Sequence, residues 1–138
     1  MIHKTPITVR GYHLDLYRHV NNARYLEFLE EARWQYMEQS NMTHVFDGSQ
    51  LGLAVVNINI NYRRAAYNND VLNIQTQFKK IGNRSAVMEQ VIYLQDTDTV
   101  VADALITFVV MDIKAGKAVS LEGEILDVLN GLLEQPTV

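Results

Sequence analysis

From Val56 to Arg63 apolar and polar residues alternate without a break: Val56, Ile58, Ile60 and Tyr62 fall on one side, Asn57, Asn59, Asn61 and Arg63 on the other. A period of two over that length marks a β-strand with one face on an apolar layer, so another part of the chain must supply that layer. The segment upstream does. From Asn22 to about Gln39 the residues Tyr25, Leu29, Ala32 and Tyr36 recur at steps of four and three, and Leu26 and Phe28 widen the stripe. This predicts one long amphipathic helix with Glu27, Glu30, Glu31 and Glu38 on its outer face. Asn21 or Asn22 suits its N-cap, because a side-chain oxygen there can accept from a spare N–H of the first turn.

The other elements fall around this pair. A first strand is predicted over Thr5 to Tyr12, with Ile7 and Val9 on one face and Pro6 near its start, and Thr43 to Gly52 reads as a loop. The alternating strand, taken as Leu53 to Arg64, is followed by one carrying Leu72, Ile74, Thr76 and Phe78 on a single face. Ser85 to Leu94 and Val100 to Asp112 come next, each after a short turn, which implies antiparallel neighbours. The last of these is apolar on both faces and is expected inside the sheet or under cover. A C-terminal helix is predicted from Ser120 to near Pro136, carrying Leu121, Ile125, Val128, Leu129, Leu132 and Leu133. One long helix serving about five twisted strands predicts an α+β fold in which a curved antiparallel sheet wraps the helix. The Asn-lined strand contains no proline and is expected to lie at an edge open to a second copy, with its Ile58 and Ile60 face on the helix.

Size and charge narrow the functions. At 138 residues the chain is expected to form one domain over 1–138. It has no cysteine, which excludes disulfides, thiolate metal sites and a cysteine nucleophile and makes the cytoplasm the expected compartment. No apolar run has the length of a signal peptide core or a membrane span. A net charge of −4 disfavours nucleic acid as a partner and requires a local basic cluster for any anionic ligand. Arg63, Arg64, Lys79, Lys80 and Arg84 gather around strand ends and turns and could hold phosphates, though solvated strand ends have the same composition.

The chemistry is concentrated in the run from Tyr12 to Tyr25, which places His13, Asp15, His19, Asn21 and Asn22 just before a helix start. Unpaired N–H groups and a partial positive charge at that start suit a developing oxyanion, and a carboxylate beside it can attack or activate water. Asp15 is the candidate; the competing reading is that Asp15 and the asparagines only cap the helix and shape the loop. His13, Asp15 and His19 are also residue types that ligate zinc or iron, but their spacing matches no metal motif and a fourth ligand is not evident. Glu30 precedes Arg33 by one helical turn, the spacing of an exposed ion pair. Asp103 interrupts an apolar strand, either facing solvent or paired.

Taken together, Asp15-x-x-x-His19-Val20-Asn21-Asn22-x-x-Tyr25-x-x-x-x-Glu30-x-Ala32-Arg33 resembles the signature of hotdog-fold acyl-CoA thioesterases of the hydroxybenzoyl-CoA thioesterase-like superfamily. Arg10 to Asp15, Tyr25 to Trp34, Val56 to Arg64 and Ala102 to Phe108 resemble its bacterial long-chain acyl-CoA thioesterase III group, and the similarity runs from about Val9 to Glu124. The resemblance implies hydrolysis of fatty acyl-CoA within fatty acid metabolism, with Asp15 as nucleophile or general base. It implies site contributions from His19, Asn21, Asn22 and Glu30; Tyr25 and the basic residues above are expected on the substrate. It implies no metal or redox cofactor, and assembly as a homodimer or homotetramer. Three positions depart from the common pattern: Arg18 stands where glycine often precedes the histidine, His13 where many relatives carry a second aspartate, and Ala65 where proline often follows the paired arginines. The alternatives are an acyl-carrier-protein thioesterase, which would need abundant basic residues for a protein surface, and a non-catalytic acyl-binding hotdog module.

Overall fold

Among the described residues every strand pairing is antiparallel, and the order across the sheet is β1 (His3–Thr8), β3 (Val71–Ile81), β4 (Ser85–Leu94), β5 (Val100–Asp112) and β2 (Leu51–Tyr62), with a short β6 (Lys117–Val119) beside β5. The computed structural model describes residues 1–134; the expected helix end at Pro136 lies outside them. The helices are α1 (Asn22–Gln39), α2 (Met42–Phe46) and α3 (Gly123–Glu134). The sheet wraps α1, the hotdog arrangement.

Periodicity decides which side chains meet. Helix α1 buries Tyr25, Phe28, Leu29, Ala32 and Tyr36, and β3 buries Leu72, Ile74, Thr76 and Phe78 while the residues between them stay half-exposed. Ala86, Met88 and Ile92 of β4 and Ala104, Ile106, Phe108 and Val110 of β5 complete that face. Each large side chain fully withdrawn from water there contributes about 1.5–3 kcal/mol. Gln90, also fully buried, sits between helix and sheet: its Nε2 donates to the Leu29 carbonyl at 3.0 Å and to Thr76 Oγ1 at 3.1 Å, while its Oε1 accepts from Arg33 Nη1 at 3.1 Å. Every polar atom of that amide is therefore satisfied inside an apolar layer.

Several elements differ from expectation, each for a local reason. The first strand ends at Thr8, because Gly11–His13 turn as a 3₁₀ helix in which the His13 ring binds the Arg10 backbone; Tyr12 therefore leaves the sheet and is exposed. The loop expected over Thr43 to Gly52 contains α2, and β2 already begins at Leu51 and stops at Tyr62. Strand β6 was not anticipated, and α3 starts at Gly123, where φ of 65° suits glycine, rather than at Ser120. In β2 a bulge between Val55 and Asn57 interrupts the alternation. The helix does not seal that face: α1 packs on β1 and β3, leaving Val56 57%, Tyr62 49% and Ile58 37% exposed, while Ile60 reaches the core.

Candidate active site

The loop between β1 and α1 is a closed hydrogen-bonded unit that delivers Asp15 to the helix start. Leu14 bridges Val20, Asp15 N donates to the His19 carbonyl at 2.8 Å, and Asn21 N donates to the His13 carbonyl at 2.9 Å. The hairpin closes through Arg18 at φ 64°, a left-handed conformation that favours the glycine often found there. Val20 N donates to the Ala66 carbonyl at 2.9 Å, tying the loop to the segment after β2.

Within this unit the Asp15 carboxylate is held by one oxygen. Oδ1 accepts from Tyr17 N at 2.8 Å and from His19 N at 3.4 Å; among the described residues Oδ2 has no hydrogen-bond donor. Asn21 is the N-cap of α1, its Oδ1 accepting from Ala23 N at 3.0 Å, and its carbonyl takes Arg24 N at 2.8 Å. The Asn22 N–H at the helix start has no acceptor among the described residues. That is where the helix dipole is positive.

Asp15, His19, Asn21, Asn22, Tyr25, Arg63 and Arg64 line one cavity of about 560 Å³, together with Val20, Tyr62 and Ala65. Tyr25 and Tyr62 pack at 5.4 Å between ring centres, and the Tyr62 hydroxyl donates to the Asn22 carbonyl at 3.1 Å. Burial pushes the Tyr25 phenol above its ordinary value. Sequence reasoning missed Tyr62 as a site residue, although the alternation had placed it on the helix-facing side of β2. The His19 ring stands edge-on to Tyr67 at 5.3 Å. Among the described residues no group of three histidine, aspartate or glutamate side chains is arranged to hold a metal ion.

The remaining expected site residues lie elsewhere. Glu30 lines a second, mainly apolar cavity of about 260 Å³ with Arg33, Trp34, Met37, Leu53 and Met88 among its walls. Its expected ion pair with Arg33 is not formed, because Arg33 turns inward to Gln90; burial lowers the Arg33 pKa, and the Glu30 charge opposes the shift. The basic residues do not form one cluster within a chain. Arg63 donates its N–H to the Val101 carbonyl at the Leu72–Leu94–Val100 end of the sheet, whereas Lys80 pairs with Val87 and Arg84 precedes Ser85 near the other end. Lys79 is 3.7 Å from Glu89. Arg63 is also engaged: its Nε donates to Asp103 Oδ2 at 2.8 Å, and Asn61 donates to the same carboxylate, so Asp103 is paired as well as partly exposed. Arg64 is exposed and has no ion pair among the described residues.

Residues 9–129 match the family model of the thioesterase-like superfamily. The chain is 51% identical over 131 residues to the long-chain acyl-CoA thioesterase FadM of Escherichia coli K12, covering 95% of this chain and 99% of that protein. It superposes on the crystal structure of YbaW, a probable thioesterase from Escherichia coli, with a TM-score of 0.89 at 51% identity, over 95% of this chain and 98% of that one. A 1,4-dihydroxy-2-naphthoyl-CoA thioesterase from Synechocystis shares the fold at a TM-score of 0.84 and 14% identity, over 99% of this chain and all of the other.

Proposed function

This chain belongs to the thioesterase-like superfamily, and from that premise we propose that it hydrolyses long-chain acyl-CoA to free fatty acid and CoA at the Asp15 cavity. The observation that carries the mechanism is the asymmetry of Asp15: Oδ1 is fixed by loop N–H groups and Oδ2, beside a helix start, has no donor among the described residues. Oδ2 either attacks the thioester carbon, giving an anhydride that water opens, or takes a proton from the water that attacks. In both routes the carbonyl oxygen gains charge before the C–S bond breaks, and the Asn22 N–H is the donor assigned to it. His19 acts through its backbone, which holds both the Asp15 amide and its carboxylate. The cavity with Trp34 and Met37 receives the alkyl chain. Tyr25 and Met37 are separated along α1 by roughly 18 Å at the helical rise, a span that suits a long chain. Arg64 meets the CoA phosphates.

A second copy completes the open side by pairing along β2, whose outer edge has no partner strand among the described residues and whose Val56, Ile58 and Tyr62 are exposed. The deciding experiment is thiol release from acyl-CoAs of graded length. Asp15→Asn is expected to lower turnover by roughly two to four orders of magnitude with an unchanged circular dichroism spectrum. Near-normal hydrolysis by that variant would remove Asp15 from the mechanism.

A further inference from the structure

His13 hydrogen-bonds to both ends of the segment that carries Asp15. Its ring Nδ1 accepts from the Arg10 backbone N–H at 2.9 Å, its own N–H donates to the Arg10 carbonyl at 2.9 Å, and its carbonyl accepts from the Asn21 N–H at 2.9 Å. Arg10 opens the 3₁₀ turn and Asn21 caps α1. One residue thus couples the exit from β1 to the helix cap, with the Leu14–Val20 bridge and Asp15 inside the closed segment. The ring is also held in place by packing, edge-on to Tyr12 at 4.4 Å and to the buried Phe28 of α1 at 4.8 Å.

We propose that the neutral His13 imidazole is a positioning residue for Asp15, a latch whose Nδ1 lone pair keeps the loop closed and whose protonation opens it. Since Nδ1 accepts, the proton of the neutral ring sits on Nε2. An imidazolium has no lone pair at either nitrogen, so protonation leaves the Arg10 N–H without its acceptor and presents it with a second N–H instead. The charges around the ring are mixed. Arg10 and Tyr12 come from the turn, and Arg24, Glu27 and Glu31 from α1, whereas β1 contributes only the non-titrating Ile7 and Thr8. Burial first, and then Arg24, lower the His13 pKa from its ordinary value, with Glu27 opposing, so the closed form is the one present at neutral pH. The proposal rests on the reading of Asp15 as the reacting group, but the latch itself can be observed without catalysis.

Nitrogen-15 NMR of the wild-type protein is expected to show His13 as the Nε2–H tautomer. Exchange of the Arg10 and Asn21 amides with solvent should increase, beyond the intrinsic pH trend, as the pH falls through the measured His13 pKa. An Nδ1–H tautomer, or amide protection indifferent to His13 titration, would overturn the latch whatever Asp15 does. In kinetics, the acid limb of kcat/KM should follow the same midpoint. His13→Asn supplies a non-titrating acceptor at the Nδ1 position and should keep turnover at neutral pH within about threefold while moving the acid limb to lower pH. His13→Phe keeps a ring and removes the acceptor; it should lower kcat about tenfold or more across the pH range with little change in KM, consistent with an unsatisfied N–H and a misplaced Asp15 carboxylate. An acid limb in His13→Asn identical to that of the wild type would refute the proposal, as would full turnover in a folded His13→Phe.

Discussion

Two neighbouring arginines have different surroundings and should behave differently. Arg63 is committed to Asp103 by a 2.8 Å bond and Arg64 is not. Arg64→Ala is therefore expected to raise KM for acyl-CoA several-fold with little effect on kcat, since phosphate contacts far from the thioester hold ground and transition states alike. The effect should vanish with an acyl-pantetheine substrate, and equal losses on both substrates would make Arg64 structural. Arg63→Ala should instead act on Asp103, whose carboxyl is held below its ordinary value first by the Arg63 hydrogen bond. A group depressed in this way contributes stability that is complete above the ordinary carboxylate range and is lost as the pH falls through the lowered value. Without Arg63 the Asp103 pKa should rise towards its ordinary value and this contribution should shrink, and a carboxyl NMR titration of Asp103 would read the shift. Since the pair is largely exposed, its effect on overall stability should be small.

At the level of elements, the Asn21 cap is where folding and chemistry meet. Asn21→Ala removes the acceptor for Ala23 N and should cost about 0.5–2 kcal/mol of stability by thermal or urea unfolding, with a fall in turnover because the same helix start lines the site. Helix α1 was legible in the sequence to both ends, since its stripe and its cap agree. The strand pattern of β3 was equally plain. Helix α2 was not, because five residues carry too little periodicity to be distinguished from a loop. The early end of β1 was hidden for another reason: a ring-to-backbone bond from His13 turns the chain while the apolar alternation continues. The loop half of the site, Asp15 to Asn22, could be found because it is contiguous. That Tyr62, Arg63 and Arg64 join it, while Lys79, Lys80 and Arg84 do not, follows from strand register, and composition alone does not encode that.

In the whole molecule the exposed β2 edge is the surface proposed to pair with a second copy. Analytical ultracentrifugation at micromolar concentration should give at least a dimer, and Val56→Asp, which puts a charge on that exposed row, should shift it towards monomer. An active wild-type monomer would refute the β2 pairing. The opposite edge has another character. β1 has six residues and carries Pro6 midway along its pairing with β3, and a proline deprives a strand of a donor that another strand would need. A sheet with two adhesive margins can recruit copies without end, whereas one with a single adhesive margin is exhausted after one partner. Pro6 thus leaves the β1 margin short of a donor, so growth through the sheet is expected to stop at one partner instead of running on into filaments.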